Sequence, residues 1–109
     1  MIRRGHVHLV RMPGERKQRP VVVLSPDRRN ELASDVVVVP CSTASRVGPW
    51  HVRLARHEGG LDRASHAKCE QPATLPKEWL APAPLGGPLP ASRMREIRDA
   101  LLRALAFDD

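Results

Sequence analysis

Three polar side chains share one face of a short, strand-like segment. Between Ser65 and Gln71 the two-residue alternation of a β-strand sets His66, Lys68 and Glu70 on one side and Ala67, Cys69 and Gln71 on the other. An ammonium and a carboxylate carried this way can flank one phosphate as acid and base, or neutralise each other in a salt bridge of little consequence. Arg19 is a further candidate, because with Pro20 it leads directly into the apolar run Val21–Leu24. A guanidinium there is permanently charged and can grip two phosphate oxygens at once, or serve as an ordinary strand-edge cation. Cys41 and Cys69 have neither a Cys-x-x-Cys nor a Cys/His spacing of the zinc-binding kind. They read as two reduced thiols packed in or near strands rather than as a disulfide or a metal site. Taken one by one, His6, His8, His51, His57 and His66 are residues of a type more often solvated or packed than catalytic.

The elements that must position these groups fit one small domain spanning residues 1–109, of a size that often gains stability by pairing with a second copy. Net charge is +6, and it is uneven: residues 1–57 carry 11 basic and 4 acidic side chains, residues 58–109 carry 7 and 8. A positive first half attracts polyanions through counterion release, so nucleic acid or an acidic protein is the expected partner. The N-terminus lacks the apolar stretch of a signal peptide and no segment approaches the ~20 apolar residues that span a bilayer, so a cytoplasmic protein that does not enter a membrane is expected.

Along the chain, Val7 and Leu9 mark a strand within Gly5–Arg11, and the polar segment 12–18 is a loop. Val21–Leu24 and Val36–Val39 are short continuous apolar runs, hence buried strands, with one helical turn at Arg28–Leu32 between them. Trp50, Val52 and Leu54 alternate with His51 and Arg53, which predicts a covered face and a basic, wet one. After the Ser65–Gln71 strand, Pro-rich residues 82–90 form a connection with room for a short edge strand near Leu85. Met94, Ile97, Leu101 and Leu105 then recur at helical spacing from near Ala91 to near Ala106, with Arg95–Asp99 and Asp99–Arg103 as i,i+4 charge pairs. Short strands ending in a helix, without βαβ alternation, indicate a mainly β fold with a C-terminal helix: a small curled antiparallel barrel.

Over nearly its whole length the chain resembles the MazF, PemK and Kid toxins, and more distantly the gyrase poison CcdB. The resemblance rests on Arg3-Arg4-Gly5, on Arg19 to Asp27 (RPVVVLSPD), on Val37 to Thr43 (VVVPCST), on Cys69-Glu70-Gln71-Pro72-x-Thr74-Leu75, and on the C-terminal helix. It implies an SH3-like barrel of the CcdB/MazF type working as a homodimer, inhibited by an acidic MazE-like antitoxin. The implied activity is metal-independent, sequence-specific cleavage of single-stranded RNA by 2′-OH attack, leaving a 2′,3′-cyclic phosphate and a 5′-OH and so arresting translation and growth.

Carried onto this sequence, the resemblance assigns Arg19 to transition-state stabilisation and Ser42 to the position of the family's catalytic threonine, with Thr43 one residue away. Lys68 and Glu70 stand where Kid-type members have Arg and Asp, and the loop histidine of those members is replaced by Arg16 and Lys17. Where most members have an acidic residue after Arg-Gly, this chain has His6. Substrate contacts are expected from Arg16, Lys17, Thr43, His66, Gln71 and Trp50, the last matching an aromatic that meets a base in the family or else serving as core. Two other readings stand beside this one. A gyrase poison would need a C-terminal Trp-Gly-Ile, where this chain reads Leu105-Ala106-Phe107-Asp108-Asp109. A non-catalytic RNA-binding remnant would keep the basic groove but not the chemistry.

Overall fold

The computed structural model describes residues 1–44 and 46–106. Six strands and two helices follow in the order β1 (Val7–Val10), β2 (Arg19–Val23), α1 (Asp27–Leu32), β3 (Asp35–Ser42), β4 (His51–Leu54), β5 (Ser65–Lys68), β6 (Ala73–Pro76) and α2 (Ala91–Leu105). All pairings are antiparallel, in the path β1-β2-β3-β5-β4, with β6 also on β3. β3 is the common member. Its Val38–Pro40 stretch pairs with β2, its first half with β6 and its last two residues with β5. The sheet curls without closing on itself, and with α2 it makes the mainly β, barrel-like fold expected from the sequence.

Period-2 alternation divides the apolar residues between two faces. Val22, Val39, Cys41, Val52, Leu54 and Ala67 turn one way and meet Ile97 and Ala100 of α2 in the principal core. Val21, Val23, Val36, Val38 and Leu75 turn the other way into a second cluster with Val10 and Leu80. The β-branched runs in β2 and β3 supply both cores at once, which is why they read as continuous rather than alternating. Burial pushes the Cys41 thiol up to about 12, helped by the neighbouring Cys69. Burial, with the charge of Glu70, likewise pushes Cys69 up to about 11. Both sulfurs therefore stay protonated at neutral pH and act as small apolar side chains.

Several expectations need correction. The strand expected over Ser65–Gln71 stops at Lys68, and Cys69–Glu70 turns, with the Gln71 N–H donating to the Lys68 carbonyl. A strand at Ala73–Pro76, unforeseen, follows at once. Residues near Leu85 form no strand. Instead the N–H groups of Ala81, Leu85 and Leu89 reach the carbonyls of Leu9, Val7 and Gly5, four residues apart on one side and two on the other, as an irregular strap along the edge of β1. In α2 the buried stripe is Ile97 and Ala100. Met94 and Leu101 pack from its margin, and Leu105 is half exposed. Asp99 pairs with Arg98, its neighbour, and Arg103 donates to the Pro49 carbonyl, in place of the two i,i+4 pairs. Trp50 lies outside the core, 40% exposed.

Candidate active site

Strand register assembles the site. In β2 and β3 the Val21–Pro40 pairing, followed two residues on, brings Arg19 and Ser42 to the same end of the sheet and to the same face. Ser42 is directly opposite His66 of β5, and His66 is directly opposite Arg53 of β4. The row thus runs guanidinium, hydroxyl, imidazole, guanidinium across four adjacent strands. It occupies the polar end of the face whose other end holds the second apolar cluster. With strands about 4.8 Å apart, β2 and β5 stand roughly 10 Å apart on either side of Ser42.

Each member keeps chemistry to spare. Arg19 is 65% exposed, and Glu15, at 3.6 Å, holds it only loosely. The Ser42 hydroxyl accepts the Ala44 N–H at 3.1 Å, closing the turn that ends β3, and retains its own hydrogen for donation. Thr43 lies beside it on the wall of a cavity of about 410 Å³ shared with Arg53, Ser65, His66 and Arg93. Arg93 is already held by Glu58 and Glu96, which raise its pKa. Arg53 is exposed.

Lys68 is opposite His51, and Glu70 reaches the same histidine from the turn after β5. The Gly48 N–H can only donate, so His51 Nδ1 accepts it at 2.9 Å, and the ring hydrogen on Nε2 is donated to Glu70 Oε2 at 2.6 Å. Among the described residues the other Glu70 oxygen is buried and has no partner. Lys68 and Glu70 therefore do not form the same-face ion pair considered from sequence, because Glu70 is off the strand and committed to His51. The His51 ring stacks on that of His66, with centroids 4.8 Å apart. Burial lowers the His66 pKa from 6.5, the neighbouring His51 and Lys68 lower it further, and Glu70 opposes them.

The remaining expected contacts lie around this centre. Arg16 and Lys17 are exposed on the 12–18 loop leading to Arg19, and Gln71 is exposed after the Glu70 turn. Trp50 precedes His51, and its carbonyl accepts the Cys69 N–H. Sequence reasoning passed over His51 and Arg53 as site residues, although their alternation with Val52 and Leu54 had already put them on the wet face of β4. Among the described residues no group of three or more His, Cys, Asp or Glu side chains could hold a metal ion, and no helix is long and apolar enough to cross a membrane.

A curled antiparallel sheet, a terminal helix and a basic polar row at one end of the sheet define a toxin fold of the MazF type. Residues 3–105 match the family described as PemK-like, MazF-like toxin of type II toxin-antitoxin system, and the chain belongs to that family. Similar solved structures include an endoribonuclease of a mycobacterial species in complex with its cognate antitoxin, 26% identical, with TM-score 0.84 over 98% of this chain and 97% of that one. The Mycobacterium tuberculosis toxin MazF-mt6 is 25% identical, with TM-score 0.82 over 95% and 99%. Deinococcus radiodurans MazF, in its complex with MazE, is 23% identical with TM-score 0.80 over 95% and 94%, a likeness of fold. No curated protein sequence gives a match.

Proposed function

We propose that this chain is a single-domain endoribonuclease toxin that cuts single-stranded RNA in the cytoplasm without a metal or cofactor. The observation that carries this reading is the row formed by Arg19, Ser42 and His66 on adjacent strands, with Lys68 on the same face. Cleavage by the neighbouring 2′-OH needs donors for charge gathering on the phosphate and groups that move protons. Arg19 supplies a fork for the phosphate oxygens, the Ser42 hydroxyl a second donor, and Lys68 a cation able to protonate the departing 5′-oxygen. Glu70 holds His51 in its tautomer and orientation. Arg16, Lys17, Thr43, Gln71 and the exposed Trp50 ring contact the flanking nucleotides.

The protein works as a homodimer. Its cognate antitoxin is a MazE-like chain whose acidic segment covers the basic groove, in keeping with the complexes of the mycobacterial and Deinococcus relatives. The test is a long end-labelled transcript incubated with purified protein in excess EDTA. Cleavage is expected to survive the chelator and to leave 2′,3′-cyclic phosphate ends, and Arg19→Ala is expected to lower the rate about 10²–10³-fold. Undiminished cleavage by Arg19→Ala removes the site, and a strict need for added metal removes the mechanism.

A further inference from the structure

We infer that His66 is the proton acceptor for the ribose 2′-OH, and that the His51–Glu70 pair behind it is its positioning device. This rests on the RNA-cleaving reading above and assigns its base. Arg16 and Lys17, in the loop leading to Arg19, are cations with no free lone pair to accept a proton. The other groups around the row are occupied. Both ring nitrogens of His51 are bonded, one Glu70 oxygen is bonded to His51 and the other is buried. Among the described residues, His66 alone in the row combines a lone pair with ring nitrogens that have no hydrogen-bond partner.

Its surroundings fit the task. His66 is 4% exposed, and it lines the cavity shared with Thr43 and Arg53. Ser42 and Arg53 face it across the strands on either side, the His51 ring stacks on it, Lys68 lies two residues along the same face, and Arg93 of α2 lines the same cavity. Burial above all, with His51 and Lys68 beside it, disfavours the imidazolium and favours the unprotonated ring, the form a base requires. Glu70 pulls the other way, but its charge is directed at His51.

In the step itself a ring nitrogen of His66 takes the 2′-OH proton as the 2′-oxygen–phosphorus bond forms. The phosphorus–5′-oxygen bond breaks, and the leaving oxygen takes a proton from the Lys68 ammonium. Solvent then removes the proton from His66 and restores the one on Lys68, so the net products are the cyclic phosphate and the 5′-OH.

The experiment measures single-turnover cleavage of a long transcript from about pH 5 to about pH 8, and binding of an uncleavable 2′-deoxy strand of the same sequence. For the parent protein the rate should rise through an ionisation below 6.5 and then level. His66→Gln should lose about 10²-fold or more and lose that limb, while binding the deoxy strand within about threefold. His51→Gln should keep the limb but move it to higher pH, since a group that depresses His66 is gone and Glu70, which raises it, loses its imidazole partner. The inference is overturned if His66→Gln retains the limb and most of the rate, or if its loss is entirely in binding. Should His66→Gln not fold, the His66 imidazole proton resonance in the intact protein decides: titration below 6.5 that responds to the deoxy strand supports the assignment, and indifference to that strand overturns it. A parent protein that binds RNA but cuts none defeats the broader reading, whatever His66 does.

Discussion

His8 and His66 lie on the same face of one sheet, at its two ends, and burial lowers the pKa of both. His8 is fully enclosed. Its Nδ1 hydrogen is donated to the Ala81 carbonyl at 2.8 Å, and its Nε2 is buried without a partner among the described residues. The strap runs along β1 beside it, and the cluster on that face of the sheet is apolar. His66 keeps an opening to a cavity and stands among Ser42, His51, Arg53 and Lys68. Burial alone depresses an imidazole anywhere in a protein. What separates the two ends is that the strap closes one of them, whereas the turns after β3 and β5 leave the other open to a ligand.

The largest effect should come from loosening the closed end. Gly60 has φ +85°, and a Cβ there would collide with the Leu85 carbonyl carbon. The obstacle is backbone, so Gly60→Ala must shift the strap, and a loss of about 3 kcal/mol in urea unfolding is expected. A variant as stable as the parent would show that the strap is not seated on this turn.

A smaller effect is carried by pH. The folded pKa values of His8 and His66 both lie below the ordinary 6.5, so the unfolded chain takes up these protons first. Their contribution to stability is complete above 6.5 and is lost as pH falls from 6.5 through the depressed folded values. Denaturation midpoints should therefore drop over that window, and His8→Gln should flatten the slope. A slope unchanged by that substitution would mean the closed end does not exclude water. The smallest change expected is at the open end, where Trp50→Ala should alter stability by less than about 0.5 kcal/mol while weakening RNA binding by about 1–3 kcal/mol. A large stability loss would make Trp50 a packing residue after all.

Much of this arrangement was legible in the sequence. The valine runs of β2 and β3 and the α2 periodicity are local signals, and β2 and α2 appear within two residues of their expected bounds, whereas β3 continues through Pro40 to Ser42, three residues beyond the end of its valine run. The Ala73–Pro76 strand was not, because it is short, carries one buried apolar residue and sits between prolines, so its place comes from the edge of β3 rather than from its own pattern. The strap along β1 likewise lacks period 2, since only every fourth N–H is used. Arg19, Ser42 and Lys68 could be singled out from motifs. The partnership of Glu70 with His51, 19 residues away, could not, because it depends on a turn that ends β5 three residues earlier than the alternation suggests. The cation row emerges only once the β3–β5–β4 registers are known.

β3 holds hydrogen bonds to three different strands along its eight residues, and its interior valines contribute to both apolar clusters. No hairpin can therefore peel away and leave a self-sufficient remainder, because every route to partial opening either frays an outer strand or dismantles this shared axis. The chain should accordingly have few stable half-open forms. A protease would find either the folded protein or the fully unravelled one.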